Sequence, residues 1–190
     1  MKITSIEAKV LVWPAMNPPF WMSLLPVNRP HELVVLVHTD EGITGIGHTD
    51  QASSIFSVGG DGNPKQAKAA LIVPDGIAPM LIGEDPLQVE QLWQKVFGLT
   101  FRHHWNAQGW SRSEMLSALA AVDMALWDVR AKAAGEPVYR HIGGNDPAVP
   151  MYVAGGYYRE GKGLNELAAE CAQYREHGYR ALKVRVGGMT

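Results

Sequence analysis

After Gly143-Gly144 the chain changes its pattern, and the residues beyond leave few folds open. Val149 to Ala154 reads as a strand, Leu164 to His177 as a helix, and Arg180 to Val186 as a second strand. Strand, helix and strand in this order form a βαβ unit, which forces a parallel pair with a right-handed crossover. Helical spacing turns Leu164, Leu167, Ala168, Cys171 and Tyr174 inward, and Gly178 stands where that helix should stop. Before residue 145 the grammar is antiparallel. Residues 2–12 form an apolar run stopped by Pro14, Glu32 to Thr39 is rich in Val and Leu, and Ile43 to Thr49 returns after the turn Asp40-Glu41-Gly42. These three predict an antiparallel meander. The domain boundary is accordingly placed near residue 145, with an α+β domain over residues 1–145 and the opening of an α/β domain over 146–190.

Between meander and boundary, Lys65 to Ile82, Leu87 to Leu99 and Ser113 to Ala134 show helical apolar spacing, the first made irregular by Pro74, Gly76 and Pro79. The third is the best determined. Met115, Leu119, Val122, Leu126 and Val129 recur at three and four residues and make one apolar stripe. Ser111 and Glu114 have the spacing of a capping box, and Gly135 with Pro137 makes a left-handed stop. Asp123 and Trp127 lie four apart on a second face, which gives this helix two neighbours. Residues 15–31, with four prolines around Phe20, Trp21, Met22, Leu24 and Leu25, read as an irregular loop that folds over something. Ser53 to Pro64 reads as a second, glycine-rich loop.

Charge excludes some partners. Seventeen Lys and Arg against nineteen Asp and Glu leave a net charge of −2, so there is no basic surplus for a nucleic-acid backbone. Apolar runs such as Leu33 to Val37 are far short of the ~20 residues that span a bilayer, and no signal peptide is read at Met1-Lys2. The single cysteine, Cys171, cannot form an intrachain disulfide and is expected as a buried thiol in a cytoplasmic protein.

The sharpest chemistry lies on the second parallel strand. In Ala181-Leu182-Lys183-Val184-Arg185-Val186 the period of two sends the apolar residues to one face and Lys183 and Arg185 to the other. Two adjacent cations in an enclosed sheet need an anion, so a closed barrel would make them a carboxylate or enolate site. The plain alternative is a pair of edge-strand charges that discourage aggregation. The glycines of Gly45-Ile46-Gly47 lie in a hairpin rather than before a helix, so they do not make a dinucleotide loop.

In its ordered motifs the chain resembles the enolase superfamily, specifically the mandelate racemase and muconate lactonizing enzyme group. The resemblance rests on Met1-Lys2-Ile3-Thr4-Ser5-Ile6-Glu7, the hairpin from Thr39 to Gly47, Ala121-Val122-Asp123-Met124-Ala125-Leu126-Trp127-Asp128, the run from Lys132 to Gly144, and Gly178 to Arg185. It implies a capping domain closing over a (β/α) TIM-type barrel, in which a divalent metal, usually magnesium, stabilises an enolate formed next to a substrate carboxylate. Residues 15–31 and 49–63 would then be capping loops that contact a small carboxylate substrate, with Trp21, His48 and Tyr157 as substrate-binding candidates. Lys183 and Arg185 are the catalytic candidates, and a homo-oligomer is expected.

The group's second barrel strand carries Lys-x-Lys, whose second lysine acts as a base; here that position is Arg185. A guanidinium with a pKa above ~12 is an electrostatic partner of an anion rather than a proton acceptor. The substitution favours dehydration of a sugar acid, with a histidine on a late strand as the principal base, over two-base racemisation. A racemase, epimerase or cycloisomerase of the same group, and a truncated noncatalytic partner module, are the alternatives. A whole barrel takes eight strands and ~250 residues, so residues 146–190 are expected to be its incomplete start, the metal carboxylates of strands three to five lying outside this chain. No metal ligand is assigned within the 190 residues.

Overall fold

Alternation and β-branched residues make the first three long strands, and their register is set by which face must be buried. A computed structural model describes residues 1–12, 14, 17, 19–22, 25–27, 31–49, 71–101 and 109–187. Strands β1 (Ile3–Val12), β4 (His31–Thr39) and β5 (Thr44–Thr49) form an antiparallel sheet in the order β1-β4-β5, with Ile6 opposite Val37 and Val35 opposite Gly47. This is the predicted meander. Leu33, Val35 and Val37 are fully buried on the core face. Between β1 and β4 in the chain lie the short strands β2 (Phe20–Met22) and β3 (Leu25–Val27).

A π-helical turn (Val73–Ile77) leads into helix α1 (Ala78–Leu81), with the Ala78 N–H donating to the carbonyl of Val73. Pro74 removes a backbone donor from the turn and Gly76 relaxes it, so the expected helix bulges here instead of running regularly. The first part of that expected helix, residues 65–70, lies outside the described residues, as does the loop Ser53 to Pro64. Helix α2 (Val89–Phe97) ends in a 3-10 turn (Gly98–Phe101), and helix α3 (Arg112–Ala133) comes next. At the start of α3 the Ser111 hydroxyl accepts from the Glu114 N–H at 3.1 Å, while the Glu114 carboxylate accepts from the Ser111 N–H at 2.7 Å. Its end is fixed by Gly135 at φ 72°, and a short helix α4 (Val138–His141) succeeds it.

Helix α3 packs on one side against the sheet, through β5 and β4, and on another against α2. Against β5 there is almost no gap. A Cβ on Gly45 would lie 2.0 Å from the Ala125 carbonyl oxygen, and one on Gly47 would lie 1.9 Å from that of Ala121. The two glycines thus let helix backbone rest on strand backbone. The Ile46 N–H donates to the Asp128 carboxylate at 2.8 Å, and the Lys132 ammonium donates both to that carboxylate and to the Thr44 carbonyl.

The chain forms two compact units, one of residues 1–12 and 31–145, the other of residues 13–30 and 146–190. In the second, β6 (Val153–Ala154) and β8 (Leu182–Lys183) are parallel, joined through β7 (Tyr158–Arg159) and helix α5 (Leu164–Glu176). Strands β3, β2 and β7 form an antiparallel sheet in that order.

Three expectations are corrected here. The proline-rich stretch 15–31 is not irregular throughout: it contains the β2-β3 hairpin, with Pro26 on the edge strand, where a missing N–H is tolerated. The two parallel strands are two residues each, not six or seven. Because so short a ladder offers α5 little surface, Leu164 is 84% exposed and Cys171 is half-buried rather than buried.

Candidate functional site

In β8 Lys183 stands opposite Ala154 of β6, and Arg185 lies two residues on, past the end of the strand. The Gly155 N–H donates to the Lys183 carbonyl at 2.9 Å, which extends the ladder by one bond. The Lys183 ammonium stands 5.5 Å from the centre of the Tyr152 ring, and the Arg185 guanidinium carbon 5.4 Å from that of Tyr157. Each cation therefore lies on an aromatic face. Tyr157 in turn packs on Phe20 at 4.8 Å between ring centres. One pair over, Trp21 stands opposite Tyr158 in the β2-β7 ladder, with ring centres 6.4 Å apart.

Arg185, Tyr157 and Phe20 thus form one cluster, and Trp21 with Tyr158 a separate ring pair beside it in sequence. A cavity of about 340 Å³ adjoins it, walled by Tyr157, Lys162, Leu164, Leu167, Arg185 and Val186. A second, of about 740 Å³, opens between Phe20, Tyr157, Arg159, Lys162 and α5. His48 belongs to the other unit, exposed on β5 opposite Val34. Residues 50–63 of the expected second capping loop lie outside the described residues.

Sequence reasoning missed Phe20 and Tyr152 as ring partners, and it missed Lys162 and Glu170 altogether. The Glu170 carboxylate accepts from the Gly156 N–H at 3.0 Å, from the Tyr174 hydroxyl at 3.0 Å and from the Lys162 ammonium. Burial alone would raise the Glu170 pKa, but these hydrogen bonds and the Lys162 charge together hold it below the usual glutamate value. Burial, with the Glu170 bond, raises Tyr174. In the first unit, burial and then repulsion from Glu90 raise the Asp123 carboxyl, which lines a cavity with Glu90, Trp93 and Trp127.

A divalent metal needs several converging oxygen ligands. Among the described residues no three His, Cys, Asp or Glu converge in this way, so these residues do not fit such an ion. Among them, too, no helix is long and apolar enough to cross a membrane.

An antiparallel sheet sealed by a capped helix, then a parallel βαβ ending in Lys183 and Arg185, defines a capping domain and the first elements of a parallel α/β domain. Residues 5–143 match the family model of the mandelate racemase / muconate lactonizing enzyme N-terminal domain, and the chain belongs to that family. It is 34% identical to a D-mannonate dehydratase of Rhizorhabdus wittichii over 152 residues, 80% of this chain and 32% of that protein. With an arabinonate dehydratase of Saccharolobus solfataricus it shares 36% identity over 114 residues, 60% of this chain and 29% of that one. Among solved structures, a mandelate racemase/muconate lactonizing enzyme superposes with a TM-score of 0.80 at 32% identity, covering 100% of this chain and 46% of its own. Another, from a marine actinobacterium and in complex with magnesium, superposes with a TM-score of 0.74 at 32% identity, covering 100% and 45%. The chain spans about a third of the curated relatives' length and under half of the solved chains'.

Proposed function

We propose that this chain supplies the cap, residues 1–145, and the first barrel elements, from residue 146, of a sugar-acid dehydratase. The observation that carries this reading is that Lys183 and Arg185, at and just after a parallel strand, each lie over a tyrosine ring, Tyr152 and Tyr157, in a family whose similar members include the mannonate and arabinonate dehydratases.

Such a reaction removes the proton at C2, next to the carboxylate, and expels the C3 hydroxyl as water; the resulting enol becomes a 2-keto-3-deoxy acid. Negative charge grows on the carboxylate side as the C2 proton leaves, and preorganised cations stabilise it there. Arg185 offers a planar fork to two oxygens and Lys183 a compact ammonium. Trp21 and Tyr157 are assigned to the substrate, shedding water from it, and His48 on β5 is kept as a separate candidate. Magnesium and the principal base are assigned to further barrel strands, and the complete enzyme to the cytoplasm as a homo-oligomer. Arg185 in place of a second lysine counts against two-base racemisation.

The test is a screen of the complete enzyme against a library of sugar acids with and without EDTA. Water loss from at least one acid, abolished by chelation and restored by magnesium, is expected. Turnover indifferent to EDTA, or none on any acid, overturns the reading.

A further inference from the structure

Gly155 and Gly156 carry the chain out of β6, and neither has room for a side chain. A Cβ on Gly155 would lie 2.8 Å from the Tyr174 ring and 2.9 Å from the Glu170 carboxylate, and one on Gly156 would lie 2.9 Å from Val184. Gly156 also holds φ at 65°, in the left-handed region. The backbone is therefore pressed onto α5 and onto Val184, just past β8, at the point where it turns toward Tyr157. There the Gly156 N–H donates to Glu170, and the Lys162 ammonium donates to both the Tyr157 carbonyl, at 3.0 Å, and Glu170. Lys162 and Glu170 thus hold the backbone on both sides of the Gly156-Tyr157 peptide, while the Tyr157 ring lies between Phe20 and Arg185.

We infer that Lys162 and Glu170 are positioning residues: an ion-pair clamp that fixes the Gly156-Tyr157 peptide and, through the Tyr157 ring, the seat of the Arg185 guanidinium. The clamp stands on its own geometry; its effect on substrate rests on the dehydratase reading above. Both partners are largely shielded, with side chains 17% and 23% exposed, so the pair is less screened than a surface bridge. Tyr174 is the other titratable group on the Glu170 carboxylate, and Arg159, Glu160 and Glu166 line the same cavity.

The deciding experiment is hydrogen exchange at the Gly156 amide in the complete protein, wild type beside Glu170→Gln and Lys162→Arg. Glu170→Gln keeps the shape but removes the charge, and losing a charge-assisted acceptor is expected to speed exchange about tenfold. Lys162→Arg retains the cation and is expected to stay within about threefold of wild type, since the arginine fork can still span carboxylate and carbonyl. Equal exchange in Glu170→Gln and wild type overturns the clamp.

Kinetics then test positioning against mere stability. Arg185 is the cation assigned to the charge that grows in the transition state, so a displaced seat is expected to lower the kcat of the folded Glu170→Gln enzyme about tenfold, while Lys162→Arg stays within about threefold. A purely structural defect lowers only the folded fraction, and kcat normalised to folded protein by near-UV circular dichroism stays at the wild-type value; that result overturns positioning. A wild type that dehydrates no sugar acid overturns the dehydratase reading alone, and the exchange of Gly156 still decides the clamp.

Discussion

At the scale of single residues, the dehydratase reading turns most on Arg185, where the two-base pattern has a lysine. A lysine there would keep the charge and lose the planar fork. Arg185→Lys is therefore expected to lower turnover of the complete enzyme. Lys183→Ala, which deletes a preorganised charge, should lower kcat by ~10²-fold or more. Deuterium exchange at the substrate α-carbon, monitored by NMR in D₂O, checks both. Turnover and exchange unchanged in both variants would reduce the two cations to edge-strand charges. Asp123 gives a prediction of opposite electrostatic character. Its ordinary value is 3.8, and burial with Glu90 repulsion raises it in the fold. The folded state therefore holds the proton more tightly than the unfolded chain, and the stability this gives in acid is lost as pH rises from about 3.8 through the raised folded value. Asp123→Asn is expected to stabilise the protein at pH 7 and to lose that advantage near pH 3, as read from denaturant melts at the two pH values. The position of Asp123 on a second helix face was legible from its spacing with Trp127. The Lys162–Glu170 pair was not, because eight residues spanning a turn and a helix carry no periodic signal, and only the fold sets them side by side.

At the scale of elements, legibility tracked length. Helix α3 announced its stripe, its capping box and its stop because 22 residues repeat the helical period many times. The parallel strands pair as expected but extend over two residues each, since strand propensity only says which residues suit a sheet and the neighbouring strands decide how far a ladder runs. The β2-β3 hairpin was missed because its prolines read as breakers, whereas an edge strand accepts them. The tightest element contact is that of α3 on β5, and it gives a stability test. Gly47→Ala places a methyl group 1.9 Å from a helix carbonyl oxygen, so α3 must move. A loss of about 3 kcal/mol or more is expected, at the upper end of overpacking costs. Ser111→Ala, which removes only the cap acceptor, should cost about 1 kcal/mol. Equal small losses in chemical denaturation would contradict the close approach at Gly47.

At the scale of the whole molecule, one chain carries both a capping domain and a parallel strand pair that ends in Lys183 and Arg185. The family was legible in ordered short motifs; the contacts of Arg185 and Lys183 with aromatic rings were not, because the rings lie far from the cations in sequence, Phe20 reaching Arg185 only through Tyr157. What such an assembly does is read most directly from the product. The complete enzyme, incubated with mannonate and arabinonate in D₂O with magnesium, should give a 2-keto-3-deoxy acid with one solvent deuteron at C3 by NMR, and none of it in EDTA. An epimerised acid that keeps its C3 hydroxyl, or dehydration that persists in EDTA, would contradict the account.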